Sequence, residues 1–131
     1  MTPDWQADVH PVSFDDLEPL TKLARKERLS FKATNNTQWF GAYIDGELVG
    51  CGGVIWVDKA RTTARLKSAL VLPEWRGVGV GRSLMERRVE WAIENSAVRM
   101  EVITAFPHFF DGIGWTHTDG KPEAHYHWNL T

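Results

Sequence analysis

Arg76-Gly77-Val78-Gly79-Val80-Gly81-Arg82 sets three glycines at alternating positions with an arginine at each end. Before it comes the apolar run Leu70-Val71-Leu72, and after it an amphipathic stretch. Strand, glycine turn and helix in that order make an anion cradle. The first N–H groups of a helix have no intrahelical acceptor, and the helix dipole favours negative charge at that end. Glycine also removes the Cβ that would hold a phosphate at a distance. The chemistry expected of this stretch is main-chain binding of a phosphate or pyrophosphate; a plain turn explains neither the two arginines nor the helix that follows.

Three phosphate-binding patterns compete. The dinucleotide fingerprint G-x-G-x-x-G fails in both registers, because its last glycine would fall on Arg82 or on Leu84. The nucleoside-triphosphatase loop G-x-x-x-x-G-K-[ST] would need glycine where Arg76 stands and lysine where Arg82 stands. The pattern [RQ]-x-x-G-x-[GA] is met in full by Arg76 to Gly81. With it, Leu66-Lys67-Ser68-Ala69-Leu70-Val71-Leu72-Pro73-Glu74-Trp75 resembles the strand that leads into the glycine loop of the GNAT superfamily of acyl-CoA-dependent N-acyltransferases. Phe110-Asp111-Gly112-Ile113-Gly114-Trp115 is similar to that family's Y-x-x-x-G-F segment. The resemblance covers about residues 9 to 130.

The resemblance implies acetyl-CoA or another acyl-CoA as co-substrate and no metal. It implies coenzyme A pyrophosphate at Arg76, Gly77, Val78, Gly79, Val80, Gly81 and Arg82. It implies pantetheine lying like an added strand along Leu70, Val71 and Leu72, with the strand from Val98 to Thr104 splayed away from it. The reaction implied is direct attack of an amine on the thioester in a ternary complex. The family's usual proton donor is the tyrosine of Y-x-x-x-G-F, and this chain has Phe110 there. His108, Asp111 and Tyr126 are the candidates left for that role. If coenzyme A leaves as thiolate, none is needed. A domain that only binds acyl-CoA, as a sensor or interaction module, is the alternative that Phe110 motivates.

No acid occurs between Arg65 and Leu72, so the general base is unassigned. Arg65 and Lys67 either suit an anionic or nucleic-acid acceptor, or are solvated charges on the sheet. The acceptor amine itself, whether on a small molecule, a protein or a nucleic acid, is expected to meet Ser30 to Gln38 and Asp58 to Thr63. The family also allows a homodimer.

Hydrophobic periodicity supplies the elements that must hold these residues. A short edge strand is expected over Val9 to Val12, where Pro11 can sit. A helix follows, N-capped by Asp16, with Pro19 in its first turn and its end near Leu29. Lys32 to Gln38 reads as a loop. Trp39 to Ile44 and Glu47 to Trp56 form a hairpin about Asp45-Gly46. Arg65 to Leu72 is the strand before the glycines. The helix from Gly81 or Arg82 to about Asn95 buries Met85, Val89, Ala92 and Ile93 and turns Glu86, Arg87 and Glu90 outward. Val98 to Thr104 is a strand, Phe106 to Gly112 a short aromatic segment, and Trp115 to Thr118 and His125 to Leu130 close the chain about Asp119-Gly120. The order β-α-β-β-β-α-β-α-β-β gives an α/β (α+β) fold, a mixed, splayed sheet flanked by helices, as one domain over residues 1–131.

Composition agrees. A chain of 131 residues with 43% apolar and 24% charged residues can bury a core without disulfides or metal. The net charge of −2 argues against a polyelectrolyte that coats nucleic acid. The single cysteine, Cys51, excludes an internal disulfide and reads as a small buried residue. No signal peptide and no apolar run of membrane-spanning length is apparent, so a cytoplasmic protein without membrane contact is expected. His125 and His127 share a strand face, with His117 expected close by, but no cysteine or acid completes a metal set.

Overall fold

The structure is a computed structural model that describes residues 7–34, 36–104, 109–110, 113–118, 120–121 and 125–130. Its strands are β1 (Asp8–Val12), β2 (Thr37–Ile44), β3 (Glu47–Trp56), β4 (Thr63–Val71), β5 (Arg99–Ile103), β6 (Thr116–His117) and β7 (His125–Asn129). They form one seven-stranded sheet in the order β1-β2-β3-β4-β5-β7-β6. All neighbours are antiparallel except β4 and β5, which the helix α2 (Val80–Glu94) connects. Asp45 and Gly46 both have positive φ, 51° and 80°, as a two-residue hairpin turn between β2 and β3 requires.

Side chains alternate across the strands, so the sheet has two cores. Phe40, Val54, Ala64 and Leu66 face α2, where Val80, Leu84, Met85, Val89 and Ala92 meet them. Trp39, Cys51 and Leu70 face the other way, onto Leu17, Leu20 and Ala24 of the first helical segment.

That segment differs from the sequence expectation. It opens as a 3₁₀ turn over Phe14–Leu20 and continues as α1 (Thr21–Lys26). Ser13, not Asp16, is the N-cap; the Asp16 carboxylate instead accepts the Ser13 N–H at 3.2 Å. Pro19 sits inside the tight turn, and the helix ends at Lys26 with Leu29 folding its N–H onto the Ala24 carbonyl. Strand β2 begins at Thr37, two residues earlier than the aromatic pair suggests.

Two readings of α2 are also corrected. Ile93 is 55% exposed. Arg87 is half-buried, with its guanidinium 5.4 Å from the centre of the Phe40 ring. The residue that completes the buried stripe is Arg88, only 2% exposed. An arginine in that register is invisible to a search for apolar spacing. Among the described residues, no helix is long and apolar enough to cross a membrane.

Candidate functional site

Strands β4 and β5 run side by side only from Thr63↔Arg99 to Leu66↔Val102. Beyond that, β4 stays with β3 as far as Val71↔Gly50, and β5 stays with β7 as far as Ile103↔His125. The sheet therefore opens between its two central strands, and among the described residues the edge of β4 from Lys67 to Val71 has no strand beside it.

A β-bulge falls at the start of this opening. Gly53↔Lys67 is followed by Cys51↔Leu70, so β4 carries one residue more than β3 across the same span. Ser68 takes the extra turn with φ +57°, in the left-handed region that favours glycine. The inserted residue reverses the alternation: Leu66 packs toward α2, while Leu70 packs on the α1 side. The Ser68 hydroxyl donates to the Ser30 carbonyl and ties the α1 loop to the bulge. Cys51, opposite Leu70, is fully buried, and desolvation pushes its thiol up to about 12, so it is an inert neighbour.

Past Val71 the chain makes a turn at Pro73–Trp75, then the glycine loop, then α2. Gly77 and Gly79 have φ of +78° and +102°, and a Cβ at either would meet nothing within 4 Å. The backbone requires glycine there, and the space it leaves is open. Gly79 is the N-cap of α2, and the first helical bond runs from the Ser83 N–H to the Gly79 carbonyl, 3.0 Å. The N–H groups of Val80, Gly81 and Arg82 thus have no intrahelical acceptor and lie at the positive end of a 15-residue helix. The flanking arginines are engaged elsewhere. Arg76 donates to the Val71 carbonyl at 2.9 Å and pairs with Glu27; Arg82 pairs with Glu86 at 3.0 Å. An anion seated here would be held chiefly by main chain.

On β7, Tyr126 is opposite Val102, the last β5 residue that pairs with β4. Tyr126 is 5% exposed and stacks on Phe110, ring centroids 6.0 Å apart, and Trp115 meets Phe110 edge-on at 5.1 Å. Phe110 is thus a core ring, and the nearest tyrosine lies against it. His108 and Asp111 lie outside the described residues. His117 pairs with Tyr126 and so shares its face, away from His125 and His127, while His127 Nδ1 is 3.0 Å from the Thr118 hydroxyl. Among the described residues, no group of three potential metal ligands comes together.

The basic residues of β4 are not free. Arg65 holds Glu101 with Nε and Nη2 at 3.0 and 2.5 Å, and Lys67 lies over the Trp39 ring, 5.6 Å from its centre. The two loops expected to meet an acceptor reach two cavities, and both loops line the second of them, Asn36, Thr37 and Gln38 from one and Asp58, Lys59 and Arg61 from the other. One, of about 210 Å³, includes Arg25, Ser30, Phe31 and Lys32 and adjoins the bulge through Ser30. The other, about 550 Å³, includes Gln38, Trp56, Asp58, Arg61 and Trp91 and lies at the opposite end of β4 from the glycines.

Sequence reasoning missed the bulge, the Glu101 pair and the burial of Arg88. The signal available for Arg88 was its place in the stripe four residues after Leu84 and next to Val89.

Comparison with known proteins gives a consistent picture. The family model described as the acetyltransferase (GNAT) family matches residues 2–109. An amino-acid acetyltransferase of Mycobacterium tuberculosis is 30% identical over 88 residues, 64% of this chain and 48% of that protein. This chain therefore spans about half the length of that curated relative. The N-acetylglutamate synthase of Neisseria gonorrhoeae, solved with coenzyme A and N-acetyl-glutamate, superposes with a TM-score of 0.76 over 98% of this chain and 36% of its own, at 14% identity. The PaiA N-acetyltransferase of Thermoplasma acidophilum, solved with coenzyme A, gives 0.72 over 95% of this chain and 99% of its own, at 15% identity. At such identities the superpositions speak for the fold.

Proposed function

The chain belongs to the acetyltransferase (GNAT) family, and on that premise we propose that it moves an acyl group, in the simplest case acetyl, from acyl-CoA to an amine. The observation that carries the reading is continuity. Unpaired helix N–H groups at Val80 to Arg82 run directly into the unpaired edge of β4 where the sheet opens. A ligand with a pyrophosphate at one end and an amide-bearing arm at the other matches both surfaces at once.

Bound acyl-CoA would supply an activated carbonyl with a thiolate leaving group. The chain's residues do the rest. Gly77 to Arg82 hold the pyrophosphate, and Leu70, Val71 and Leu72 offer backbone groups to the arm. The main chain at the bulge faces the developing negative charge on the acyl oxygen. Tyr126, beside Phe110, is the proton source for the departing sulfur, and the proton that the attacking amine gives up replaces it. The acceptor amine approaches from the α1 side, where Ser30 and the smaller cavity meet the bulge. Its chemical class stays open between small molecules and proteins; nucleic acid is disfavoured because Arg65 and Lys67 are already engaged. The relative that acetylates amino acids makes those the first acceptors to try. A buried, unpaired Cys51 suits a reducing, cytoplasmic setting.

Release of free thiol from acetyl-CoA, followed with a thiol reagent over a panel of amines, tests the reading. Turnover with at least one amine is expected. Tight binding of acetyl-CoA with no thiol released by any amine would make the domain a binder rather than an enzyme.

A further inference from the structure

Arg88 is the one charged side chain among the described residues that is buried, and its position serves no obvious purpose in the core. It has no carboxylate partner among the described residues. Burial, opposed by the neighbouring Cys51, draws its guanidinium down to about 10, still a cation at neutral pH. Burying an unpaired charge costs several kcal/mol, and an apolar residue in this stripe would serve packing better.

The surroundings are shaped for the guanidinium. Gly52 of β3 lies against it, and a Cβ there would stand 2.7 Å from Arg88 Cζ and 2.9 Å from Nε. The strand gives up a side chain to let the head group through. Nε donates to the Leu84 carbonyl at 3.0 Å, and Nη1 donates to the Gly53 carbonyl at 3.0 Å, with a longer contact to the Lys67 carbonyl at 3.5 Å. Gly53 and Lys67 are the register pair immediately before the bulge.

Resting on the acyltransferase reading, we propose that Arg88 is a positioning residue for that reaction: from the α2 side its guanidinium holds the bulge of β4 in place and sets the backbone that meets the acyl oxygen. The bulge needs such a hold. Ser68 at φ +57° is strained, in the left-handed region that favours glycine, and β5 has already left this edge. Arg88 anchors the register pair before Ser68 from one face, through the Gly53 carbonyl at 3.0 Å and more loosely the Lys67 carbonyl at 3.5 Å, and the Ser30 carbonyl takes the Ser68 hydroxyl on the other. In a trans peptide the Ser68 N–H points away from the Lys67 carbonyl. A cationic group 3.5 Å from that carbonyl adds weakly to the polarity of the peptide and of its N–H.

The test compares wild type with Arg88→Met, Arg88→Lys and Gly52→Ala. The readouts are acetyl-CoA affinity by calorimetry, kcat and KM by thiol release, and amide shifts of residues 68–69 and 77–81 by NMR. For Arg88→Met, kcat should fall about 30- to 100-fold. Acetyl-CoA affinity should stay within about threefold, because the glycine loop carries it. Amide shifts should move at residues 68–69 and stay at 77–81. Lysine, a point cation without the planar fork, should recover part of kcat. Gly52→Ala displaces the guanidinium without altering Arg88 and should reproduce the loss. Should Arg88→Met not fold, Arg88→Lys and Gly52→Ala carry the comparison.

Folded Arg88→Met or Gly52→Ala with kcat within twofold of wild type overturns the proposal. So do equal losses in the Met and Lys variants that track their melting temperatures. Wild type that binds acetyl-CoA but acylates no amine overturns the acyltransferase reading and this proposal with it. Wild-type turnover with unaltered variants overturns this proposal alone.

Discussion

The two ends of β4 are built from the same strand but treat their backbones differently. At the Thr63 end, β4 is closed in on both sides: β3 and β5 satisfy its ladder, Arg65 grips Glu101, and side chains wall a cavity of about 550 Å³. At the Val71 end, β5 has left, a bulge has shifted the face, and the chain runs into glycines whose N–H groups have no intrahelical acceptor. A search by volume would choose the closed end. A search for unsatisfied, oriented backbone would choose the open one. For a ligand held by main chain, the second criterion is the informative one, because backbone polar groups in a fold are normally paired and a row left open awaits a partner.

The largest expected effect lies at the open end. Gly79→Glu forces an L residue into φ +102° and sets a carboxylate at the helix N-cap, where the anion should sit. The free loop relaxes away from the strained φ, so binding must restore about 1–2 kcal/mol, and with a repulsion of about 1–2 kcal/mol against the ligand's phosphates this predicts a loss of roughly 30- to 1,000-fold in acetyl-CoA affinity. Calorimetry with acetyl-CoA and with 3′-phosphoadenosine diphosphate checks it. Retained affinity would move the site away from the loop and reverse the ranking of the two ends.

The difference between the ends also explains what the sequence could reveal. The open end is written in short-range code: Gly77 and Gly79 are needed where φ is positive, and strand, loop and helix follow one another within about twenty residues. The hairpin at Asp45-Gly46 is legible for the same reason. The bulge is not, because Ser68 carries no mark of an inserted residue; register is a property of β3 and β4 together. Arg88 reads as one more surface cation until Gly52, some 35 residues away, is seen to make room for it. Phe110 is legible as a departure from the tyrosine pattern, but its stacking on Tyr126 depends on β7 folding back beside β5.

Tyr126→Phe sharpens the comparison by separating chemistry from binding at the open end. The ring, its stacking on Phe110 and its burial are retained, and only the hydroxyl is lost. If that hydroxyl protonates the leaving sulfur, kcat falls about 100-fold, with acetyl-CoA affinity and melting temperature nearly unchanged. An unchanged kcat would mean that coenzyme A departs as thiolate and that the substitution at Phe110 is tolerated without replacement.

The smallest effect is expected at the closed end, and for that reason it tests the contrast from the other side. Arg65 and Glu101 have side chains 34% and 24% exposed, so water screens their attraction. Arg65→Gln should lower stability by under about 1 kcal/mol. It should leave acetyl-CoA affinity and kcat alone, because Thr63 to Leu66 remain paired to β5 by main chain. The informative quantity is KM for the amine. If it is unchanged, the closed end serves to clamp the central strands so that they can part further along. If it rises tenfold or more while acetyl-CoA binding holds, the acceptor reaches past the bulge to Arg65, and the two ends of β4 belong to one site.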